Sequence, residues 1–292
     1  MKLFLNNKLI DTNEAMVSVF DHGFLYGLGL FETFRTYNGL PFLLQEHLHR
    51  LKTSCEQLGI AYTVDEKELR EQIALLLSEN NLVDGYFRLT VSAGEEELGL
   101  PAKDYTNPTT ILMCKPLPAS QTNEQWSKGK AAICLKTRRN SPEAAIRFKS
   151  LHYMNNIIAK REIRSNFSSQ FASAEGLMLN NKGELSEGIV SNVFFRKGET
   201  IFTPAIDTGI LPGITRAFVI ELCKQNGYLI NEGYFNWDSL VEADEIWLTN
   251  SIQAIIPVTA LVFSHDRIHT VGDGIAGVFT RQLHLLYQSF TT

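Results

Sequence analysis

The feature that most restricts the fold is the way strand and helix signals come in blocks. Short apolar stretches flank Asn6 and Asn7 within residues 3–10, and two more flank Asn38-Gly39 within residues 30–44; both are hairpin patterns, and Asn-Gly is the stronger. Apolar positions at helical spacing follow at Leu44, Leu48, Leu51, Cys55 and Leu58, ending at Gly59, and a second amphipathic run over 64–80 opens with Asp65 as a cap. Strand-like segments at 86–91 and 109–114 complete this half. Beyond the polar stretch 119–130 the pattern predicts a strand at 131–137, a helix over 151–164, β-rich sequence over 175–204, a helix over 214–226, a strand at 245–249 and a helix over 275–287. Strands and helices do not alternate strictly, so an α+β fold is expected and a doubly wound sheet is disfavoured.

A chain of 292 residues allows about two domains at ~150 residues each. The polar stretch marks the boundary: a smaller N-terminal α+β domain at 1–117, a linker at 118–130 and a larger C-terminal α+β domain at 131–292 that carries Lys149. A hydrophobic share of 44% with 20% charged residues excludes general disorder. The net charge of −5, with no long basic run, gives no footprint for nucleic acid or an anionic membrane, so the expected partners are small molecules or copies of the chain. Cys55, Cys114, Cys134 and Cys223 form no C-x-x-C, which argues against a disulfide framework and a zinc site; no metal is expected. The N-terminus lacks the apolar core of a signal peptide and runs such as 73–77 are too short to cross a bilayer, so a cytoplasmic location is expected.

Several residues could carry chemistry. Lys149 lies between a short apolar stretch and a helix start, where partial desolvation lowers an ammonium pKa and frees an amine for Schiff-base chemistry; taken alone it also reads as an ordinary surface lysine. Glu187 has apolar neighbours, and a buried carboxylate needs a partner such as a protonated ring nitrogen; a strand-edge glutamate in water is the bland alternative. Arg50, the helix start at 211–216 and the Thr249-Asn-Ser-Ile252 turn could each grip a phosphate, or be a solvated helix residue, a simple cap and a turn. The glycines of Tyr26-Gly-Leu-Gly-Leu30 lack the third glycine of a dinucleotide fingerprint, His47 and His49 fall on different helix faces, and Glu95 to Glu97 reads as a solvated loop.

Together, Phe20-Asp-His-Gly-Phe-Leu-Tyr-Gly-Leu-Gly-Leu-Phe-Glu-Thr33, the Arg50 segment, Phe148-Lys-Ser150, Ser186-Glu-Gly188, residues 211–216 and residues 249–258 resemble fold-type IV pyridoxal-phosphate enzymes across nearly the whole chain. That superfamily includes branched-chain aminotransferases, D-amino-acid aminotransferases and aminodeoxychorismate lyases. The resemblance implies their two-domain α+β fold, pyridoxal 5′-phosphate as cofactor and a homodimer. It also implies Lys149 as the Schiff-base lysine, Glu187 at the pyridine nitrogen and Arg50 at the phosphate, with Ile214, Thr215, Asn250 and Ser251 completing the phosphate cup.

The closest likeness is to the bacillus-type lyases, which implies conversion of 4-amino-4-deoxychorismate to 4-aminobenzoate, a folate precursor, and pyruvate. Lys149 would then serve as both base and acid. Branched-chain aminotransferases usually place Asn-Tyr at the fourth and fifth positions after the lysine, whereas His152 and Tyr153 stand here at the third and fourth. The arginine-histidine trap of D-amino-acid aminotransferases is missing from residues 92–97. Arg88 matches a basic position of this strand in branched-chain enzymes and, as lysine, in some lyases; it is the first candidate for the substrate carboxylates and Arg35 the second. Glu95 to Glu97 would repel a dianion if they lined the entrance. An aminotransferase of branched-chain or D-amino acids is the alternative, and a catalytically silent pyridoxal-phosphate-binding or interaction protein is a third reading.

Overall fold

A computed structural model describes residues 1–167, 169–264 and 267–291. Met1–Pro118 together with Phe148–His152 form one compact unit, and Ala119–Arg147 with Tyr153–Thr291 form another.

The first unit contains β1 (Lys2–Leu5), β2 (Lys8–Asp11), α1 (His22–Tyr26), β3 (Gly29–Tyr37), β4 (Leu40–Pro41), α2 (Leu44–Gln57), α3 (Glu66–Glu79), β5 (Gly85–Ser92) and β6 (Thr109–Pro116). Its six-stranded sheet runs β2-β1-β6-β5-β3-β4, with every pairing antiparallel. Both hairpins form where the turn chemistry demands them. Asn6 and Asn7 have φ of 49° and 61°, and Asn38 and Gly39 have 52° and 77°. Such a left-handed pair matches the twist of the flanking strands, and Asn and Gly adopt it at least cost. Alternation then sorts β3: Leu30 and Phe34 enter the core beside Phe87 and Leu89 of β5, and the helical stripe Leu44, Leu48, Leu51 and Cys55 of α2 packs onto them. Burying each such side chain contributes about 1.5–3 kcal/mol. Asp65 caps α3 as expected, accepting from Lys67 N and Glu68 N.

The segment carrying Lys149 packs with this first unit, although the sequence pattern assigns 131–292 to the second domain. Phe31 N donates to Lys149 O at 2.9 Å and Leu151 N to Gly29 O at 2.9 Å, so the segment lies along the edge of β3 opposite β5. Phe148 packs against the same core. This pairing spans more than a hundred residues of sequence, and nothing local announces it.

The second unit contains α4 (Asn123–Ser127), β7 (Lys130–Cys134), α5 (Met154–Asn166), β8 (Glu175–Leu179), β9 (Leu185–Gly188), β10 (Asn192–Lys197), β11 (Thr200–Pro204), α6 (Ile214–Gln225), β12 (Leu229–Gly233), α7 (Trp237–Val241), β13 (Glu245–Asn250), β14 (Ala254–Ser264), β15 (Arg267–Thr270) and α8 (Val278–Gln288). Its sheet runs β12-β11-β10-β13-β14-β7-β8-β9, with β15 added to β14. Three pairings are parallel, β11 with β12, β14 with β7 and β7 with β8, so this sheet is mixed. One antiparallel and one mixed sheet, each with grouped helices, make the fold α+β as expected. The stretch expected as a linker differs: α4 occupies it, closed by a capping box of Thr122 and Gln125, and the second unit begins at Ala119. Among the described residues no helix is long and apolar enough to cross a membrane.

Candidate active site

In the first unit β3 and β5 present two chemically distinct faces. Register pairs Phe31 with Thr90, Thr33 with Arg88 and Arg35 with Tyr86, so these side chains share the face opposite the α2 core. On that face the Arg88 guanidinium lies 3.5 Å from the centroid of the Phe31 ring, and Lys149 Nζ lies 4.6 Å from the same centroid. Arg88 Nε also donates to Thr90 Oγ1 at 3.2 Å, which orients its fork. Lys149 and Arg88 thus meet at one aromatic ring. Arg35 instead lies over Tyr37, 4.1 Å from its centroid.

The opposite face of β3 carries Glu32 among the core residues, with a side chain 1% exposed. Arg50 donates to it bidentately, Nε to Oε1 at 2.7 Å and Nη2 to Oε2 at 2.6 Å, while His47 Nδ1 lies 2.6 Å from Oε2. His47 and Arg50 are one helical turn apart on α2 and reach the strand side by side. Burial pushes the Glu32 carboxyl up, but the Arg50 charge and the hydrogen bonds from His47 and Arg50 outweigh it and bring its pKa down to about 2. Burial lowers the pKa of His47 despite the neighbouring carboxylate, so the ring is neutral at pH 7 and donates Nδ1–H to Glu32. His49, two residues on, is exposed, as are Glu95 and Glu97.

In the second unit β9 carries Glu187 through the interior, its side chain 6% exposed. Oε1 accepts from Arg139 Nε at 2.8 Å; Oε2 accepts from Leu211 N at 2.9 Å and Asn192 Nδ2 at 3.3 Å. Arg147 Nε stands 4.0 Å from Oε1 and donates to Gly209 O at 2.6 Å. Burial, and then the Arg139 charge, bring the Arg147 pKa down to about 10 against the pull of Glu187. Asn192 Nδ2 also donates to Leu211 O at 3.0 Å, tying the 209–213 loop to β10. That loop delivers α6, whose N-cap is Gly213 with no side-chain cap. A Cβ on Gly213 would sit 2.0 Å from Asn192 Oδ1, so only glycine lets the loop pass this close.

Register pairs Asn192 with Thr249, so the turn after β13 adjoins this cluster. Asn250 Oδ1 shapes the turn by accepting from Ile252 N and Gln253 N at 3.0 and 2.8 Å. Ser251 Oγ lies 3.4 Å from Thr215 Oγ1 at the start of α6. Thr249 is 1% exposed and its Oγ1 is buried without a hydrogen-bond partner. A buried hydroxyl left unpaired, two more hydroxyls and an uncapped helix start form a donor set suited to an anionic group.

The expected residues therefore fall into two sets, Lys149, Arg50, Arg88 and Arg35 in the first unit and Glu187, Ile214, Thr215, Asn250 and Ser251 in the second. Sequence reasoning missed Glu32 and His47 as partners of Arg50, and Arg139, Arg147 and Asn192 around Glu187. Glu32 had a signal, a charge at an inward position between Leu30 and Phe34. Arg139 had none, since Arg138 and Asn140 make its neighbourhood read as solvent-facing.

Residues 29–261 match the family described as amino-transferase class IV. The chain belongs to that family. Among class IV relatives, it is 42% identical over 289 residues to the aminodeoxychorismate lyase of Bacillus subtilis (strain 168), covering 98% of this chain and 93% of the relative. It is similar to 4-amino-4-deoxychorismate lyase from Pseudomonas aeruginosa, with a TM-score of 0.82 and 28% identity, covering 98% of each chain. It is also similar to a T.th. branched-chain amino acid aminotransferase solved with pyridoxamine 5′-phosphate, with a TM-score of 0.86 and 26% identity, covering 100% of this chain and 94% of that one. The donor set around Thr249 fits the phosphate of the cofactor such class IV enzymes imply, and buried Glu187 fits a protonated ring nitrogen.

Proposed function

We propose that this chain is a pyridoxal-phosphate-dependent lyase that converts 4-amino-4-deoxychorismate to 4-aminobenzoate and pyruvate. The observation that carries this reading is the 42% identity to the Bacillus subtilis lyase over 98% of the chain. Pyridoxal phosphate, when bound, supplies a carbonyl that captures an amine and a protonated ring that draws electrons. Lys149 Nζ would bond the carbonyl at rest and hold the proton traffic during turnover. It would take the hydrogen from the ring carbon next to the substrate nitrogen. As the carbon–oxygen bond to the enolpyruvyl group breaks, it would return a proton to the enolpyruvyl methylene, which leaves as pyruvate.

Glu187 would keep the ring nitrogen protonated, with Arg139 and the Leu211 amide fixing its carboxylate. Arg50, Ile214, Thr215, Asn250 and Ser251 would hold the phosphate. Arg88, oriented by Phe31 and Thr90, is the reader of a substrate carboxylate, with Arg35 in support. Because Arg88 and Lys149 meet at the Phe31 ring, a substrate whose amine takes the place of Lys149 at the cofactor carbonyl can reach Arg88 with an acid group. A cytoplasmic homodimer belongs to the same proposal.

The alternative is an aminotransferase, favoured by the similarity to the branched-chain enzyme. Incubating the cofactor-loaded protein with enzymatically generated aminodeoxychorismate separates the two. The lyase releases 4-aminobenzoate and pyruvate in equal amounts, and Lys149→Ala abolishes both. Conversion of the cofactor to its amine form by simple amino acids, with neither product formed, would overturn the lyase reading in favour of the aminotransferase.

A further inference from the structure

The Glu32, His47 and Arg50 cluster has a geometry that charge neutralisation alone does not require. Glu32 sits on the face of β3 opposite the one that carries Phe31 and, across the register, Arg88. One opposite charge at a single contact would balance it, yet Arg50 engages it as a fork, through Nε at 2.7 Å and Nη2 at 2.6 Å. His47 then takes a further share of Oε2 at 2.6 Å, and its own ring is fixed 5.7 Å from Phe34 in the apolar core. The side chains of Glu32 and His47 are 1% and 2% exposed, that of Arg50 13%. Burial therefore increases inward, from the guanidinium to a carboxylate held by a packed ring.

A fork of this kind fixes the plane of a guanidinium as well as its position. The fork uses Nε and Nη2 and so fixes the plane in which Nη1 also lies. An arginine on a flexible stem would lose rotamer freedom whenever it gripped an anion; one already clamped by a buried carboxylate does not. The carboxylate also offsets part of the positive charge, so the arrangement trades attraction for orientation.

We propose that Glu32 and His47 are positioning residues that pre-orient Arg50 for the phosphate of the cofactor, so that the chain discriminates pyridoxal phosphate from pyridoxal through a clamp in the core of its first unit. This rests on the reading that Arg50 binds the cofactor phosphate.

The test compares binding of pyridoxal phosphate and of pyridoxal, followed by the absorbance change of the bound aldehyde, in the full chain and its variants. Glu32→Gln can accept at one atom only and turns an amide toward the second guanidinium nitrogen, so the fork is lost. It should weaken pyridoxal phosphate about tenfold or more and leave pyridoxal unchanged. In an Arg50→Ala background, Glu32→Gln should have no further effect on either compound. His47→Asn retains a donor near the Nδ1 position and should keep most of the discrimination, whereas His47→Ala should not; this pair reads the same role if Glu32→Gln fails to fold. Equal weakening of both compounds, tighter binding of pyridoxal phosphate, or an undiminished Glu32→Gln effect without Arg50 would overturn the proposal. Failure of the underlying reading looks different: the unaltered protein would bind neither compound, or Arg50→Ala would leave the preference for the phosphate intact.

Discussion

Each unit of the molecule buries one glutamate against an arginine Nε, at 2.7 Å for Glu32 and 2.8 Å for Glu187, yet the two sites are built differently. Glu32 takes both its partners from one helix, a turn apart, so strand-on-helix packing assembles the site in one step. Glu187 gathers Arg139, Arg147, Asn192 and the Leu211 amide from separate stretches, and two guanidiniums face one carboxylate. The first is a locally coded trio that acts by orientation. The second is an excess of positive charge held in place by loops, and its integrity depends on how those loops are tied.

The largest effect expected from this difference follows truncation of the carboxylates. Glu187→Ala leaves Arg139 and Arg147, both 7% exposed, uncompensated in the interior, at a cost of about 3–5 kcal/mol. Glu32→Ala should cost less, because Arg50 is nearer the surface and His47 is already neutral. Urea unfolding of the two variants checks the order. Equal losses would mean that local and dispersed assembly are energetically alike, and the contrast would fail.

Acid should act on the first site through Glu32. Its pKa lies at about 2 in the folded chain against an ordinary 4.5, so the folded state holds fewer protons than the unfolded one between these values. The stability it contributes is present above pH 4.5 and is lost as pH falls toward 2, amounting to about 2 kcal/mol by pH 3. His47 has a lowered pKa and adds to the loss as pH drops below its ordinary 6.5. Urea midpoints from pH 7 to pH 3 should therefore fall in the unaltered protein and flatten below pH 4.5 in Glu32→Gln. A slope that survives that substitution would place the acid sensitivity elsewhere.

The same contrast decides what could be read from the chain before folding. The hairpins at Asn6-Asn7 and Asn38-Gly39 and the stripe of α2 are coded by adjacent residues, and all three form where the pattern puts them. The motifs also singled out Lys149, Arg50 and Glu187 for particular chemistry. Of their partners, Glu32 carried a local signal, a charge between two inward apolar positions, but was not singled out. The pairing of residues 149–151 with β3 and the approach of Arg139 to Glu187 are long-range events without a local cause. Helices α4 and α7, five residues each, are too short to show an apolar period and are marked chiefly by their caps at Thr122 and Asn236.

The smallest effect tests whether loop placement governs the second site. Gly213 has an ordinary φ of −66°, so backbone strain does not require glycine there; proximity does. The Cβ of alanine would fall 2.0 Å from Asn192 Oδ1, and Asn192 is 6% exposed and tied through Nδ2 to both Glu187 and Leu211. Asn192 must move for the methyl to fit, which disturbs the bonds that hold the loop beneath α6. Gly213→Ala should cost about 1–2 kcal/mol by urea unfolding, in the range of overpacking a fixed neighbour. Shortening the obstructing side chain with Asn192→Ser should remove most of that cost from the double variant, because the two residues are in direct contact and their effects are coupled. Additive losses would mean that Asn192 is not what Gly213 accommodates, and that the loop is held by something other than the ties around Glu187.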